Sequence, residues 1–390
     1  MFKKVTGMIG ALCVTVVLVA CNAEPESAAN RVEGDATAPS EQAFTEFSQA
    51  FIEAMLVHHP EWAIYQGHYD NAGEVSLPTP EQRESNLLFW RQWLEQLQAF
   101  DVESLAVKQR PEYALLENAL SSRIWYQENF KNWVWNPATY NVAGPMAILL
   151  NTEFAPAEER YRLVMQRLSG VPQYYEAAKK NIDRPTLEHV DLAMVRSQGT
   201  FSVIDEALLE NVRASELSAT EKAQFEQYFV AAQAAVRDWI DYLGTLAEEW
   251  DERADVRSFR IGEALYEEKF RFDIQSQFSA EELYSRALNE KEQLLVEMDA
   301  ITIELWPEYF EEAPIPDDRF ERIGQLVDHL SDRHVALEDF VGEIRRQIPL
   351  LADFVRENDL LFQDPSKPLV VRETPEYMRG GGAIASVSSR

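Results

Sequence analysis

The chain has 390 residues, 46% hydrophobic and 11% aromatic, enough for a large core as one extended domain or two. Its formal net charge is −30, so it repels phosphate backbones and nucleic acid is excluded as a partner. An anionic membrane surface repels it too, which leaves a covalent lipid as the anchor that would hold it at a membrane.

At the N-terminus Lys3 and Lys4 precede an apolar run from Met8 to Ala20. The run is short for a transmembrane helix, which needs about 20 apolar residues, and it fits the apolar part of a secretory signal. It ends in Leu18-Val19-Ala20-Cys21, which resembles a bacterial lipobox. Small residues before the cysteine admit the peptidase, and the Cys21 thiol takes the lipid. An ordinary signal peptide with a chance cysteine is the plainer alternative. The expectation is a signal peptide over 1–20, lipidation at Cys21 and a membrane partner through that lipid. Asn22 follows where inner-membrane retention uses aspartate, which favours the outer membrane, facing the periplasm. Cys13 leaves with the signal, so the mature chain has no second thiol for a disulfide, a Cys-ligated zinc or a thiol nucleophile. Residues 21–40 are small, polar and without apolar period, which predicts a flexible tether.

From residue 41 onward, helix signals dominate. A helix is expected over 41–57. Thr79-Pro80-Glu81-Gln82 supplies an N-cap, a proline at the first helical position and a glutamine at the third, opening a helix of two dozen residues. Further helices are expected over 110–128, 156–169, 171–183 and 186–212, with an irregular aromatic connection from Asn132 to Asn151. Ser218-Ala-Thr-Glu221 and Ser279-Ala-Glu-Glu282 are capping boxes. Each opens a long amphipathic stretch of period close to 3.6, running to about Trp250 and Leu305. Helices over 260–272, 318–330 and 335–357 complete the series. Leu369-Val370-Val371, between Pro368 and the Thr374-Pro375 turn, predicts a short strand. The predicted fold is mainly α: a bundle of long antiparallel helices with a short C-terminal strand element, expected to be incomplete because a lone edge strand has nothing to pair with.

The chain lacks a G-x-S-x-G elbow, a P-loop, a dinucleotide glycine fingerprint and an H-E-x-x-H pair. His58 and His59, with Glu61 nearby, resemble a metal corner. Their place before Pro60 better suits the C-terminal end of a helix, where the dipole favours them. His68, in a Gly-His-Tyr-Asp loop, is the histidine expected to face a cleft. His189 falls in the first turn of a helix, as a surface or capping residue. His329 and His334 are five apart, which does not place them on one helical face, and Ser331 between them suits an N-cap. The pairs Glu267-Glu268, Glu281-Glu282 and Asp317-Asp318 suit solvated faces. Trp133 and Trp135 fit sugar or peptide platforms, or wedge packing. Arg372, Glu373, Tyr377 and Arg379 cluster beside the predicted strand. They fit a substrate-side edge that holds a peptide backbone, or a turn with an Arg–Glu pair.

Several segments resemble the bacterial family called domain of unknown function 885, whose members are often exported lipoproteins. They are Phe154-Ala-Pro-Ala-Glu-Glu-Arg160, Arg167-Leu-Ser-Gly-Val-Pro172, Ile261 through Asp273, Ser279-Ala-Glu-Glu-Leu-Tyr284, Leu305-Trp-Pro-Glu-Tyr-Phe310 and Val371 through Arg379. The resemblance runs in order from about 41 to 382. It implies a helical zinc peptidase whose metal motif follows the Arg-Glu-Thr-Pro segment, with zinc expected in full-length relatives. This sequence ends before such a motif, so the resemblance carries over no zinc ligand, general base or catalytic residue, and no cofactor is expected here. The expectation is a single helical part, 41–390, of a peptidase-like envelope lipoprotein, catalytically incompetent as it stands, with peptides as candidate partners. The alternative is a lipid-anchored helical binding or scaffold protein using the residual cleft wall.

Overall fold

Local sequence sets most helix starts. Thr79 accepts a hydrogen bond from the Gln82 backbone N–H at 3.2 Å, and Ser218–Glu221 and Ser279–Glu282 close as reciprocal capping boxes. In the computed structural model, the described residues are 39–249 and 257–379. The expected signal peptide, Cys21, nearly all of the tether and residues 380–390 lie outside them.

The described chain folds into helices α1 (Pro39–His58), α2 (Pro60–Tyr65), α3 (Pro80–Gln98), α4 (Arg110–Trp125), α5 (Asn132–Trp135), α6 (Ala143–Asn151) and α7 (Ala157–Asn181). They are followed by α8 (Leu187–Gly199), α9 (Glu206–Ala214), α10 (Ala219–Glu248), α11 (Glu263–Ile274), α12 (Ala280–Phe310), α13 (Arg319–Ser331) and α14 (Phe340–Glu357). A π turn, Tyr126–Phe130, extends α4. The helical bundle is as expected. No described helix is long and apolar enough to cross a membrane.

The main core forms where α7 lies along α10. Leu168, Val171 and Tyr175 of α7 meet Phe225, Val236 and Trp239 of α10, with α6 and α8 closing the sides. The Tyr175 and Trp239 rings stack at 5.4 Å. A second cluster, built from Phe44, Phe51, Trp90, Leu97 and Leu120, joins α1, α3 and α4.

Four expectations are corrected. Residues 156–183 form one helix rather than two, because Pro172 lies between buried residues whose packing outweighs its lost hydrogen bond and ring clash. Residues 186–212 form two helices, because Asp205 caps a fresh start by accepting from the Leu208 N–H at 2.8 Å. Ser331 ends α13 instead of capping a new helix, and α14 begins at Phe340. Leu369–Val371 is not a strand: no described residue offers it a ladder. The Val371 carbonyl instead accepts from the Arg345 guanidinium at 3.1 Å.

The C-terminal helices pack differently. Trp306 of α12 is buried near Ile323 and Leu326 of α13, and Arg322 forms a two-pronged ion pair with Asp299. No residue of α14 is buried. Beyond it, the turn at 376–378 docks on α8 at Gly199, where a Cβ would lie 2.5 Å from the Tyr377 nitrogen. Only glycine permits that approach.

Candidate binding cleft

The π turn ends at Lys131, held in the left-handed region at φ 49°. This reversal sends the chain into α5, whose Trp135 anchors its indole N–H on the Phe130 carbonyl at 3.0 Å. The segment after α7 then lies along α5. The Asp183 N–H donates to the Val134 carbonyl at 2.8 Å, and the Thr186 N–H reaches toward the Trp135 carbonyl at 3.4 Å. That seat starts α8 beside Trp135, so the first-turn residues Glu188 and His189 face the same space. α11 closes it, tied to α4 and the π turn. Phe272 packs on Trp125 with ring centroids 5.5 Å apart. Asn118 donates to the Phe272 carbonyl at 3.0 Å, and the Tyr126 hydroxyl donates to Asp273 at 2.7 Å.

Between these elements lies a cleft of about 1240 Å³. Its apolar lining comes from Phe130, Trp135, Phe259, Tyr266 and Phe270, and its charges from Glu188, Arg257, Arg260, Glu263, Lys269 and Asp273. His189 sits edge-on to Trp135 at 5.3 Å and stacks on Phe259 at 5.4 Å, and its Nδ1 pairs with the Thr186 hydroxyl. Burial holds the His189 imidazole below its ordinary value, against the opposing pull of Glu188. The Arg257 guanidinium lies over the Trp135 ring at 4.7 Å. Burial first, and the neighbouring Arg184 second, lower its proton affinity. For Asp273, burial alone would raise the carboxyl pKa; hydrogen bonds from Lys269 and Tyr126 outweigh it and hold the group below the usual carboxylate range.

Two other constellations serve the fold. Arg167 is buried and donates to Glu61 at 3.0 Å, to the Ala72 carbonyl at 3.1 Å and to the Glu74 carbonyl. Burial would raise Glu61; the Arg167 charge and Ser76, which donates from both N–H and hydroxyl, bring it below its ordinary value. This knot fixes the loop between α2 and α3. His59 lies flat on Trp90 at 4.6 Å, while Arg123 stands over that indole at 4.7 Å. Burial, then the charges of His58 and Arg123, push His59 down to about 4. His58 stacks on Phe89 at 4.2 Å and lines a shallower groove of about 720 Å³ between α1 and α3.

None of His68, Arg372, Glu373, Tyr377 and Arg379 lines the cleft. His68 is exposed at the turn after α2, its N–H bonded to the Ala63 carbonyl, and lines neither cleft nor groove. Arg372 and Glu373 are exposed, and Arg379 pairs with Glu373 at 3.6 Å. Tyr377 packs on the main core. Among the described residues, no three of His, Cys, Asp or Glu are placed to hold a metal ion. Sequence reasoning missed His189, Arg257 and Arg260. Two signals pointed toward the cleft: Trp135, weighed with Trp133 as a platform against wedge packing, and the 261–273 segment, part of which forms its wall.

No curated protein matches the chain. A solved structure of a candidate lipoprotein of unknown function from Shewanella oneidensis is similar to it, with 44% identity and a TM-score of 0.74 over 85% of this chain. The present chain spans 61% of the length of that protein. Residues 60–389 match a family described as bacterial protein of unknown function, DUF885, and the chain belongs to that family.

Proposed function

We propose that the chain is the helical body of an envelope lipoprotein, held by a lipid on Cys21 at the periplasmic face of the outer membrane, and that it binds peptides in the α5–α8–α11 cleft. The carrying observation is the cleft itself. An aromatic lining beside both signs of charge suits a ligand with side chains and polar ends, the usual pattern of a small-ligand site. The likeness to a candidate lipoprotein and the lipobox at Cys21 support the anchor. The resemblance to helical zinc peptidases supports peptides as the ligand class. The reading assigns binding, and no bond cleavage, to the residues of this chain.

Tryptophan fluorescence of the full chain, titrated with short aromatic tripeptides and separately with disaccharides, tests the ligand class. Saturable quenching by the peptides is expected, and it should weaken several-fold in Trp135→Ala, since an aromatic contact contributes about 0.5–1.5 kcal/mol. A response to the sugars alone overturns the peptide reading. For the anchor, Cys21→Ala should leave the precursor unprocessed. A variant still cleaved after residue 20, and membrane-bound to the same extent, refutes lipidation.

A further inference from the structure

The cleft lining holds both signs of charge, with two arginines among its cations, in a chain that has few cations to spare. The sequence holds 66 acidic against 36 basic residues, and many described arginines are spent on carboxylates, as Arg322 is on Asp299. Arg257 is not: among the described residues its guanidinium has the Trp135 face and no ion pair. Arg260, on the same lining, also makes no side-chain ion pair among them. Arg184 lies off this lining, near enough to act on Arg257. Its only described acid is the adjacent Asp183, at 3.6 Å.

Arg184 is also held in the left-handed region, at φ 45°, directly before Pro185. A non-glycine residue there is uncommon, and a following proline restricts it further. Such strain persists only where the surroundings impose it, and it gathers at ligand sites. Here the surroundings are the two backbone contacts that bind 183–186 to α5.

Two guanidiniums without an acid partner on one aromatic lining suit an anion. We propose that the cleft recognises the C-terminal carboxylate of a peptide, with Arg257 as the principal contact, Arg260 flanking it, and the last side chain against Trp135, His189 and Phe259. Arginine binds a carboxylate through two parallel N–H donors, a geometry that an amide cannot reproduce. Glu188 and Glu263, at the first turns of α8 and α11, disfavour a second negative charge nearby. The ligand class is therefore a peptide with a free, singly charged C-terminus and an aromatic last residue. The inference rests on the peptide reading above and specifies its chemistry.

The test uses the full chain with three probes: Ala-Ala-Phe as the free acid, the same peptide as its C-terminal amide, and Ala-Ala-Ala as the free acid. Calorimetry at low ionic strength should find the Phe acid roughly tenfold tighter than its amide, the scale of one charge-assisted bidentate contact. It should also bind several-fold tighter than Ala-Ala-Ala. In Arg257→Gln the acid should lose its roughly tenfold advantage over the amide. Equal binding of acid and amide to the unsubstituted chain overturns the carboxylate inference and leaves the peptide reading standing. Absence of binding by all three probes overturns both. Because the acid–amide comparison needs no substitution, it decides even if a variant misfolds.

Discussion

The α7–α10 pair and α14 are all long amphipathic helices, yet only the pair buries its apolar face. Leu168 and Trp239 are 0% exposed, whereas Leu351 and Phe354 of α14 are each 57% exposed. The contrast separates two contributions that sequence patterns blend. Caps and period make a helix, and the box at Ser279 serves α12 as well as the box at Ser218 serves α10. Burial needs a facing surface, and that is where stability comes from, at roughly 25 cal/mol per Å² of apolar area. Where no described element faces α14, the apolar stripe is a surface property, and surfaces of that kind mark interaction sites.

The largest test of this contrast is a pair of truncations. Trp239→Ala removes the side chain that stacks on Tyr175 at the centre of the core, and should cost about 3–5 kcal/mol in urea unfolding. Leu351→Ala removes a comparable apolar group from an open face, and should stay within about 0.5 kcal/mol. Similar losses at the two positions would mean that α14 is packed after all.

The next test is electrostatic and lies within the well-packed region. Glu61→Gln leaves the Arg167 charge buried without its acid, and should cost about 2–3 kcal/mol at pH 7. The sign of the pH dependence follows from the depressed Glu61 pKa. Its stabilising effect is present above the unfolded value near 4.5 and is lost as pH falls through the lower, folded value. The gap between the unsubstituted chain and Glu61→Gln should therefore shrink in urea titrations from pH 5 to pH 3. A gap that stays constant over that range removes the ion pair as its cause.

His59 gives a smaller effect in a separate window. Its folded pKa, about 4, lies below the ordinary 6.5. Between those values the unfolded chain takes up a proton that the folded chain refuses. Stability should therefore fall as pH drops from 6.5 toward 4, by about 1–2 kcal/mol once partial screening of the site is allowed for. His58, Arg123 and Glu61 are the charges facing it. His59→Phe keeps the stack on Trp90 and should reduce the slope between pH 6.5 and 5, above the range where Glu61 titrates, leaving the part that belongs to the depressed His189. An unchanged slope would assign that limb to other groups.

These sites differ in how far they were legible in the sequence. Helix starts at Thr79, Ser218 and Ser279 were legible because a cap and its partner lie three residues apart. The continuity of α7 through Pro172 was not, since the deciding interaction is packing against α10, some sixty residues away. The strand expected at Leu369–Val371 failed for the same reason: β pairing needs a distant partner, and local β propensity says nothing about whether one exists. The cleft was the least legible feature. Trp135, His189 and Arg257 meet only because the 183–186 segment lies along α5 and α11 is tied to α4. His189 illustrates the limit. Its pairing with Thr186 is the local role expected near a helix start, but its contact with Phe259, seventy residues later, follows from the fold alone.

The smallest effect on folding carries the sharpest reading of the α12–α14 face. Leu351 and Phe354 stand three residues apart on one side of α14. Replacing both with serine removes apolar area from solvent rather than from a core, so the melting temperature should move by no more than about 2 °C. Association should respond far more. At low salt the net charge of −30 keeps copies apart. At 1 M salt the screening length falls to about 3 Å and that repulsion is lost. Ile301 of α12 (54% exposed) and Phe320 of α13 (54%) then add to the exposed apolar surface. Light scattering of residues 21–390 carrying Cys21→Ser should show salt-dependent growth in mass and binding of a dye that reports apolar surface. The Leu351→Ser, Phe354→Ser variant should show less of both at unchanged stability. A monomer at every salt concentration, with no dye bound, would mean that α14 presents no usable apolar face, and the contrast with the α7–α10 core would lose its consequence for association.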